Sequence, residues 1–505
     1  MYKSIVEYFA EKSGGQCGYC GSRKDSHSHG MWGHYLSCQD YQDLIDRGWR
    51  RSGRYCYKPT MDKTCCPQYT IKCDTTQFQL TKSQKKVLKK FRNFIINGQD
   101  PPITEFPEAT ATVENDSDEE SEFSDDEEGD KGSDIMDTES SQQAKALDME
   151  SKLKLDLKNP LSIEDVENQA ASQETSESKK VVESPSVKKG LGPDPSKPKA
   201  KKKKDLRKEK ALAKLRAAGK SESDYLAHRA AKNPVKTLEE LTSPHFPPES
   251  RHRFEIRLVN AQTSDPQFNE SYLESYNVYK KYQMVIHKDS PSKCNIGQFK
   301  RFLCNSSLLQ EEGEKTFGAF HQQYVVDGRI IAVGVMDVLP HCISSVYLYY
   351  DPDYAFLSPG TLTSLFEIAF TRQLQKEKCS ALKYYYMGFY IHSCPKMRYK
   401  AKYYPSWLLC PKTYDWVPIK TSLLLLDKAK YAVLKQPEVE DGPALPPPMS
   451  HSLINLTGVL YGNRAMIFEF YRSLSTVEEA ELQEVQEYMS LVGEVLSKRI
   501  LLYRS

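Results

Sequence analysis

Two pairs of cysteines are spaced so that one centre can take all four. Cys17 and Cys20 form a C-x2-C pair, CGYC, and Cys65 and Cys66 are adjacent in TCCP. A C-x2-C pair on a tight turn aims both sulfurs at one point, and Gly18 and Gly21 permit that turn. Neighbouring side chains of an extended strand point apart, so Cys65 and Cys66 share a centre only if the backbone turns beside Pro67. Four thiolates suit tetrahedral zinc or an iron–sulfur cluster equally. His27, His29 and His34 are spare ligands nearby, while Cys38, Cys56 and Cys73 read as buried thiols.

A second cluster is basic. Arg47, Arg50, Arg51 and Arg54 are interleaved with Trp49 and Tyr55, a mixture suited to phosphate and base contacts. The net charge of the whole chain is only +2, so the average hides this surplus. Residues 1–98 hold 17 Lys/Arg against 8 Asp/Glu, together with seven of the thirteen cysteines. An odd cysteine count without a secretion signal argues against a disulfide framework. There is no apolar run of membrane-spanning length, so the sequence predicts no membrane partner.

The elements that must position these residues fall into three blocks. Residues 1–98 read as a small Cys-rich, basic N-terminal domain. It closes with a helix capped by Ser83, with Val87, Leu88, Phe91 and Ile95 on one face. Residues 99–248 read as a charged disordered linker. Eleven acids and no base lie between Glu114 and Asp130, and twelve bases lie between Ser196 and Lys220. The run Lys201 to Lys204 reads as a nuclear-localisation or RNA-tethering patch, and Asp205 to Ala218 as a transient helix.

Residues 249–505 regain strand and helix patterns. HQQYVV and RIIAVGVMDV flank Asp327-Gly328, a two-residue hairpin turn. The strands CISSVYLYY and ALKYYYMGFYI follow, separated by a helix over Thr361 to Gln373 with Leu362, Leu365, Phe366 and Ala369 on one face. A break at Pro443 and Pro446 to Pro448 precedes a last helix, expected near Ser475 with Glu478 completing a capping box. Hairpin, strand, helix, strand is the middle of an acetyltransferase-like (GNAT) fold. The expected fold class is therefore α+β, a GNAT-like acyltransferase domain joined by the linker to the Cys-rich domain. The turn Leu357-Ser358-Pro359-Gly360-Thr361 carries one glycine and a proline that removes a donor. It speaks against a pyrophosphate cradle, and so against coenzyme A as acyl donor.

Several long segments carry a specific likeness. They are CGYC, MWGHYLSCQDYQDLIDRGWRRSG, TCCPQYTI, KYQMVIHKD, FHQQYVVDGRIIAVGVMDVLP, SSVYLYYDPDY and YYYMGFYIHSCPKMRYKAKYYPS. On these the sequence resembles the eukaryotic arginyl-tRNA–protein transferases over most of residues 15–95 and 275–415. The resemblance implies transfer of arginine from arginyl-tRNA to the free N-terminus of proteins beginning with Asp, Glu or oxidised Cys. It also implies marking of the product for ubiquitin-dependent degradation, and work in cytoplasm and nucleus. It assigns Cys17, Cys20, Cys65 and Cys66 to an iron–sulfur cluster, with zinc as the other occupant. The alternative is a non-enzymatic, metal-containing RNA-binding adaptor with a degenerate acyltransferase fold.

Attack of an amine on an activated ester asks mainly for positioning and a proton acceptor. His321, Asp337 and Tyr386, in the strands around the expected acyl site, are the catalytic candidates, and Asp337 or Asp351 is suited to hold the arginyl guanidinium. The acidic acceptor calls for fixed positive charge. Lys396, Arg398 and Lys400 lie on one face if that segment is extended. The basic first block, through Arg47, Arg50, Arg51 and Arg54, is the expected platform for tRNA.

Overall fold

The computed structural model describes residues 4–98, 236–261, 265–310, 315–436 and 451–504, with isolated positions between 209 and 223. The linker expected over 99–248 lies outside the described residues except at its end. So do the proline break and most of the helix expected over Asp205 to Ala218. One compact unit comprises residues 1–172 and 242–505, and residues 173–241 form a second, small one.

The large unit holds two mixed sheets. Strands β1 (Ile5–Gly15), β2 (Ser26–Ser37), β3 (Arg50–Ser52), β4 (Tyr55–Pro59) and β5 (Tyr69–Asp74) come from the first block. Strands β6 (Phe254–Asn260), β7 (Leu308–Leu309), β8 (Gly318–Val326), β9 (Arg329–Val338), β10 (Cys342–Tyr350), β11 (Tyr384–Tyr390), β12 (Ser406–Leu409), β13 (Trp416–Pro418), β14 (Gly458–Tyr461), β15 (Arg464–Ile467) and β16 (Leu501–Arg504) follow. The first sheet runs β15-β14-β16-β1-β2-β4-β3, with β7 on β2; the second runs β13-β12-β5-β11-β10-β9-β8-β6.

Both sheets therefore draw strands from both ends of the chain. The composition boundary at residue 98 does not part them: β5 lies between β11 and β12, and β1 pairs in parallel with β16. Every residue of β5 is buried, as an interior strand covered on both faces must be. The order hairpin, strand, helix, strand is observed. Asp327 and Gly328 both take positive φ, the twist that a two-residue hairpin between β8 and β9 needs.

Helix α1 (Cys38–Ile45) is capped by Ser37, whose side chain accepts from the Asp40 amide. Helix α2 (Lys82–Asn97) starts one residue before the expected cap. Thr81 caps it in a reciprocal box with Gln84, and Leu88, Phe91, Phe94 and Ile95 are buried. Helix α3 (Pro266–Tyr282) packs on β9 and β10. Helix α4 (Pro359–Glu377) buries Leu362, Leu365 and Phe366 as its periodicity requires. Helix α5 (Glu479–Val492) begins later than the expected Ser475 start. Its N-cap is Glu478, which makes no side-chain capping bond, so the capping box expected from Ser475 and Glu478 does not form.

Candidate active site and cysteine centre

Strands β10 and β11 are parallel neighbours that pair only from Cys342 opposite Tyr384 to Ser344 opposite Tyr386. Beyond that point each strand bulges against its outer partner. β10 slips against β9 between Ser345 and Tyr347, and β11 slips against β5 between Tyr386 and Phe389. Bulges bend strands and end pairing, and here they open a narrow cleft between two strands of one sheet. Ser344, Ser345 and Val346 line one side and Gly388 and Phe389 the other, with Tyr19, Arg50, Tyr57 and Met397 around the mouth.

The four arginines expected to meet tRNA have different fates. Arg51 is fully buried and paired with Asp337, Nη2 to Oδ1 at 2.5 Å and Nε to Oδ2 at 3.2 Å. Arg54 is largely buried and donates to the Ser306 carbonyl. Neither presents a face to an RNA backbone. Arg47 is not part of the cleft lining and stacks 4.2 Å over the Tyr414 ring. Arg50 lines the cleft. Its Nη1 donates to the Trp49 carbonyl at 2.8 Å, and its guanidinium lies 5.4 Å from the Phe389 ring centre. Its Nε and Nη2 are buried with no hydrogen-bond partner among the described residues.

The expected catalytic trio is not brought together at the cleft. His321 is wholly buried, and its Nε2 donates to the Leu303 carbonyl at 2.9 Å. Burial pulls its pKa down to about 4, so it is a neutral strand histidine. Asp337 already holds a guanidinium, that of Arg51, through both of its oxygens. Burial pushes its carboxyl up while Arg51 pulls it back. The Tyr386 hydroxyl donates to Asp46 at 2.6 Å, and its ring packs edge-on to Trp416, away from the cleft lining.

Asp351 and Asp353 both bind Lys281, at 2.7 and 2.8 Å. The segment after β11 is not extended. Pro395 starts the short helix Pro395–Arg398, a 3-10 turn follows, and the expected alternation is lost. Lys396 and Arg398 are exposed, whereas Lys400 is buried and donates to the Phe389 carbonyl at 2.8 Å.

Sequence reasoning missed Glu367. It lies on the core face of α4, wholly buried, and accepts from the Tyr385 hydroxyl at 2.6 Å. Ser345, a residue of the cleft, lies near enough to pull the carboxyl's pKa down. Burial pushes this carboxyl up to about 7. Part of the signal was present, a single acid inside the apolar stretch LTSLFEIAF, but it lies off the face marked by Leu362, Leu365, Phe366 and Ala369.

The four paired cysteines do converge. Their sulfurs all lie within 4.8 Å of one another, with Cys20 and Cys65 at 3.5 Å. Gly21, at φ +75°, closes the first turn, its amide donating to the Cys17 carbonyl, and the Cys65 amide is held by the Asp25 carbonyl. Backbone donation from Ser22 pulls the exposed Cys20 thiol down to about 7. Burial, with the neighbouring thiols, pushes Cys66 up to about 12. Four sulfurs this close ionise together only around a cation, so the donor set fits a metal. Cys17 and Cys66 pack against Ile391, Cys394 and Met397, with Tyr19 beside them, so the centre braces one wall of the cleft. Cys38, Cys56 and Cys73 are separate buried thiols.

The chain is mixed α/β, with a four-cysteine centre beside a cleft that holds arginine and opens between diverging parallel strands, an arrangement suited to binding an anionic group. Comparisons with known proteins specify the family. Residues 15–86 match the family model for the arginine-tRNA-protein transferase N terminus, and residues 274–410 that for its C terminus. The chain is 37% identical to Arginyl-tRNA--protein transferase 1 of Drosophila melanogaster over 99% of both chains. It is 33% identical to Arginyl-tRNA--protein transferase 2 of Arabidopsis thaliana, over 87% of this chain and 79% of that one. A shorter match, 35% identical, joins 28% of this chain to 52% of an aspartate/glutamate leucyltransferase of Pseudomonas aeruginosa. The chain belongs to the arginyl-tRNA–protein transferase family.

Proposed function

We propose that this protein moves arginine from arginyl-tRNA to the N-terminal amine of proteins that begin with an acidic residue, and that the transfer takes place in the cleft between β10 and β11. The observation that carries this reading is Arg50. A buried guanidinium with two unpartnered nitrogens, in a cleft whose other arginine is neutralised by Asp337, is suited to a carboxylate. The acceptor's Asp or Glu side chain, or the acid of an oxidised Cys, supplies it. The Pseudomonas relative, named for aspartate and glutamate, fits the same acceptor chemistry. A strand pair that splits after Ser344 and Tyr386, with α4 connecting the two strands, supports a GNAT-like arrangement of the catalytic unit.

In this reading the neutral α-amine attacks the ester carbonyl of the arginyl group. The new bond is N–C, the broken bond is the ester C–O, and the amine's proton ends on the ribose oxygen. The ester is already activated, so alignment supplies much of the rate. Ser345 is the cleft hydroxyl suited to relay that proton, taking the amine's as it gives its own to the ribose oxygen.

The 4.8 Å spread of the cysteine sulfurs supports one tetrahedral ion, for which zinc–sulfur bonds of about 2.3 Å put sulfurs about 3.8 Å apart. An iron–sulfur cluster, with inorganic sulfide between its irons, needs a wider cage. The ion's contribution is structural, fixing the turn that carries Tyr19. The product's N-terminal arginine is the degradation signal expected above, formed in cytoplasm and nucleus. The relatives are named as enzymes, which leaves the adaptor reading without support.

The test is to incubate the protein with arginyl-tRNA and two peptides that differ only in N-terminal Asp or Gly. Mass spectrometry should find added arginine on the Asp peptide alone. Arg50→Met should raise the peptide KM by about tenfold or more, a lost charge-assisted bond. Equal transfer to both peptides would remove Arg50 from acceptor recognition. Transfer to neither would remove the function.

A further inference from the structure

A second cavity, of about 340 Å³, adjoins the cleft and is absorbed by nothing above. Tyr57 and Lys58 are neighbours in β4 and leave it on opposite faces. Tyr57 lines the cleft and Lys58 lines this cavity. Thr70 of the cavity is the cross-strand partner of Phe389 of the cleft, so the two recesses meet neighbouring strands of one sheet.

Two basic side chains face into it, Lys58 buried and Arg47 partly so. Lys58 is 8% exposed, and among the described residues its Nζ bonds to the Tyr414 hydroxyl at 2.7 Å and the Leu491 carbonyl at 3.2 Å. Arg47 stacks on the same Tyr414 ring and donates through Nε to Leu491. Gly493 makes the room, since a Cβ there would lie 2.6 Å from the Arg47 guanidinium carbon. Neither Lys58 nor Arg47 has a carboxylate within ion-pair distance among the described residues; of the other charged residues on the lining, Lys63 pairs with Glu11 and Lys412 with Asp62. Burial and the charge of Arg47 hold the Lys58 amine well below its ordinary pKa. Thr70 Oγ1 and the Tyr431 hydroxyl also line the cavity, buried and without hydrogen-bond partners.

Two basic side chains without a carboxylate partner and two unpaired hydroxyls in a recess of this size ask for a small ligand with anionic oxygens and further polar groups. A nucleotide's phosphate and sugar supply both, and its base finds Tyr431 and Tyr69 on the walls. We infer that this cavity holds a nucleotide of the single-stranded 3′ end of the donor tRNA, just before the aminoacylated one. This rests on the reading that puts the ester in the cleft. With the ester there, the preceding phosphate has to lie within about one nucleotide of it, and the cavity lies across one strand.

The experiment uses the full chain and fluorescence anisotropy at fixed salt with three probes: uncharged arginine tRNA, the same tRNA lacking its 3′-terminal CCA, and AMP. Wild type should bind the truncated tRNA about tenfold more weakly than the intact one. Thr70→Val, which keeps the side chain's shape, and Lys58→Gln should weaken intact tRNA by a similar factor. Truncation should then cost them nothing further. If truncation costs the variants as much as it costs wild type, the inference fails. It also fails if Lys58→Gln leaves tRNA affinity intact and raises the acceptor-peptide KM instead. AMP binding that Lys58→Gln abolishes while the truncation effect persists would give the cavity to a free nucleotide and overturn the tRNA assignment. An unchanged urea midpoint for Thr70→Val separates a lost contact from a lost fold. Binding is read without transfer, so a wild type that shows the truncation effect but moves no arginine sinks the proposed function and not this site.

Discussion

Arg51 and Asp337 stand 286 residues apart in the chain and meet as a fully buried, two-bond ion pair. The Arg51 guanidinium also donates to Gly53 and Ser306 and lies over the Tyr41 ring. The pair ties β3 in one sheet to β9 in the other, directly beside the cleft. It also leaves Arg50, the next residue, as the arginine at the mouth without an acid of its own.

The first prediction follows from that pair. Arg51→Leu should cost about 3–5 kcal/mol, because Asp337 is left buried without its partner. Arg51→Leu with Asp337→Leu should lie closer to wild type than either single variant, since no charge is then stranded. Urea unfolding of the four proteins measures this. Additive losses would mean that the two side chains act independently.

The second concerns pH. Burial raises the Glu367 carboxyl from 4.5 to about 7, so the native state binds its proton more tightly than the unfolded chain does. Its contribution to stability is therefore fully present below about pH 4.5 and is lost as pH rises through 7. The shift corresponds to roughly 3 kcal/mol. Glu367→Gln should flatten the decline in unfolding free energy between pH 5.5 and 8. A variant whose stability falls as steeply as wild type over that range would show that another group is responsible.

Local signals were legible and long-range partnerships were not. Asp327-Gly328 announces its hairpin because turn chemistry and flanking alternation lie within a few residues. The four cysteines announce their centre because paired thiols have few other uses in a chain like this. Arg50 and Arg51 are the same residue type in adjacent positions. Only the pairing of Arg51 with a strand 286 residues on separates an occupied guanidinium from an unoccupied one. The same distance hid β5, whose neighbours β11 and β12 lie beyond the linker. Lys396, Arg398 and Lys400 were misjudged on a local signal, since Pro395 favours the first turn of a helix over a strand.

The third prediction concerns the cysteine centre. Cys66→Ala should abolish metal retention and destabilise the protein by more than about 2 kcal/mol, because structural zinc contributes on the order of 10 kcal/mol in small domains. Chelation of the wild type should reproduce the loss. Since Cys17 and Cys66 pack with Met397 and Tyr19 at the cleft wall, peptide KM should rise before tRNA affinity changes. Elemental analysis alongside steady-state kinetics tests both parts. A metal-depleted protein with unchanged peptide KM would sever the centre from the cleft.

The fourth prediction isolates the turn that presents the arginines. Gly53 sits between β3 and β4 at φ +58°, and a Cβ there would lie 2.5 Å from the backbone oxygen of Arg301. Its own carbonyl accepts from Arg51. Gly328, at φ +82° in the β8–β9 turn, has nothing within 4 Å of the same position. Alanine at Gly328 should therefore cost only the left-handed backbone penalty, about 1 kcal/mol. Alanine at Gly53 adds a clash that only backbone movement relieves, and should cost about 2–3 kcal/mol. Because that movement shifts Arg51 and with it Arg50, Gly53→Ala should also raise the acceptor KM, while Gly328→Ala should not. Equal effects at the two glycines, in urea melts and in kinetics, would mean that the β3–β4 turn does not hold the cleft arginines in place.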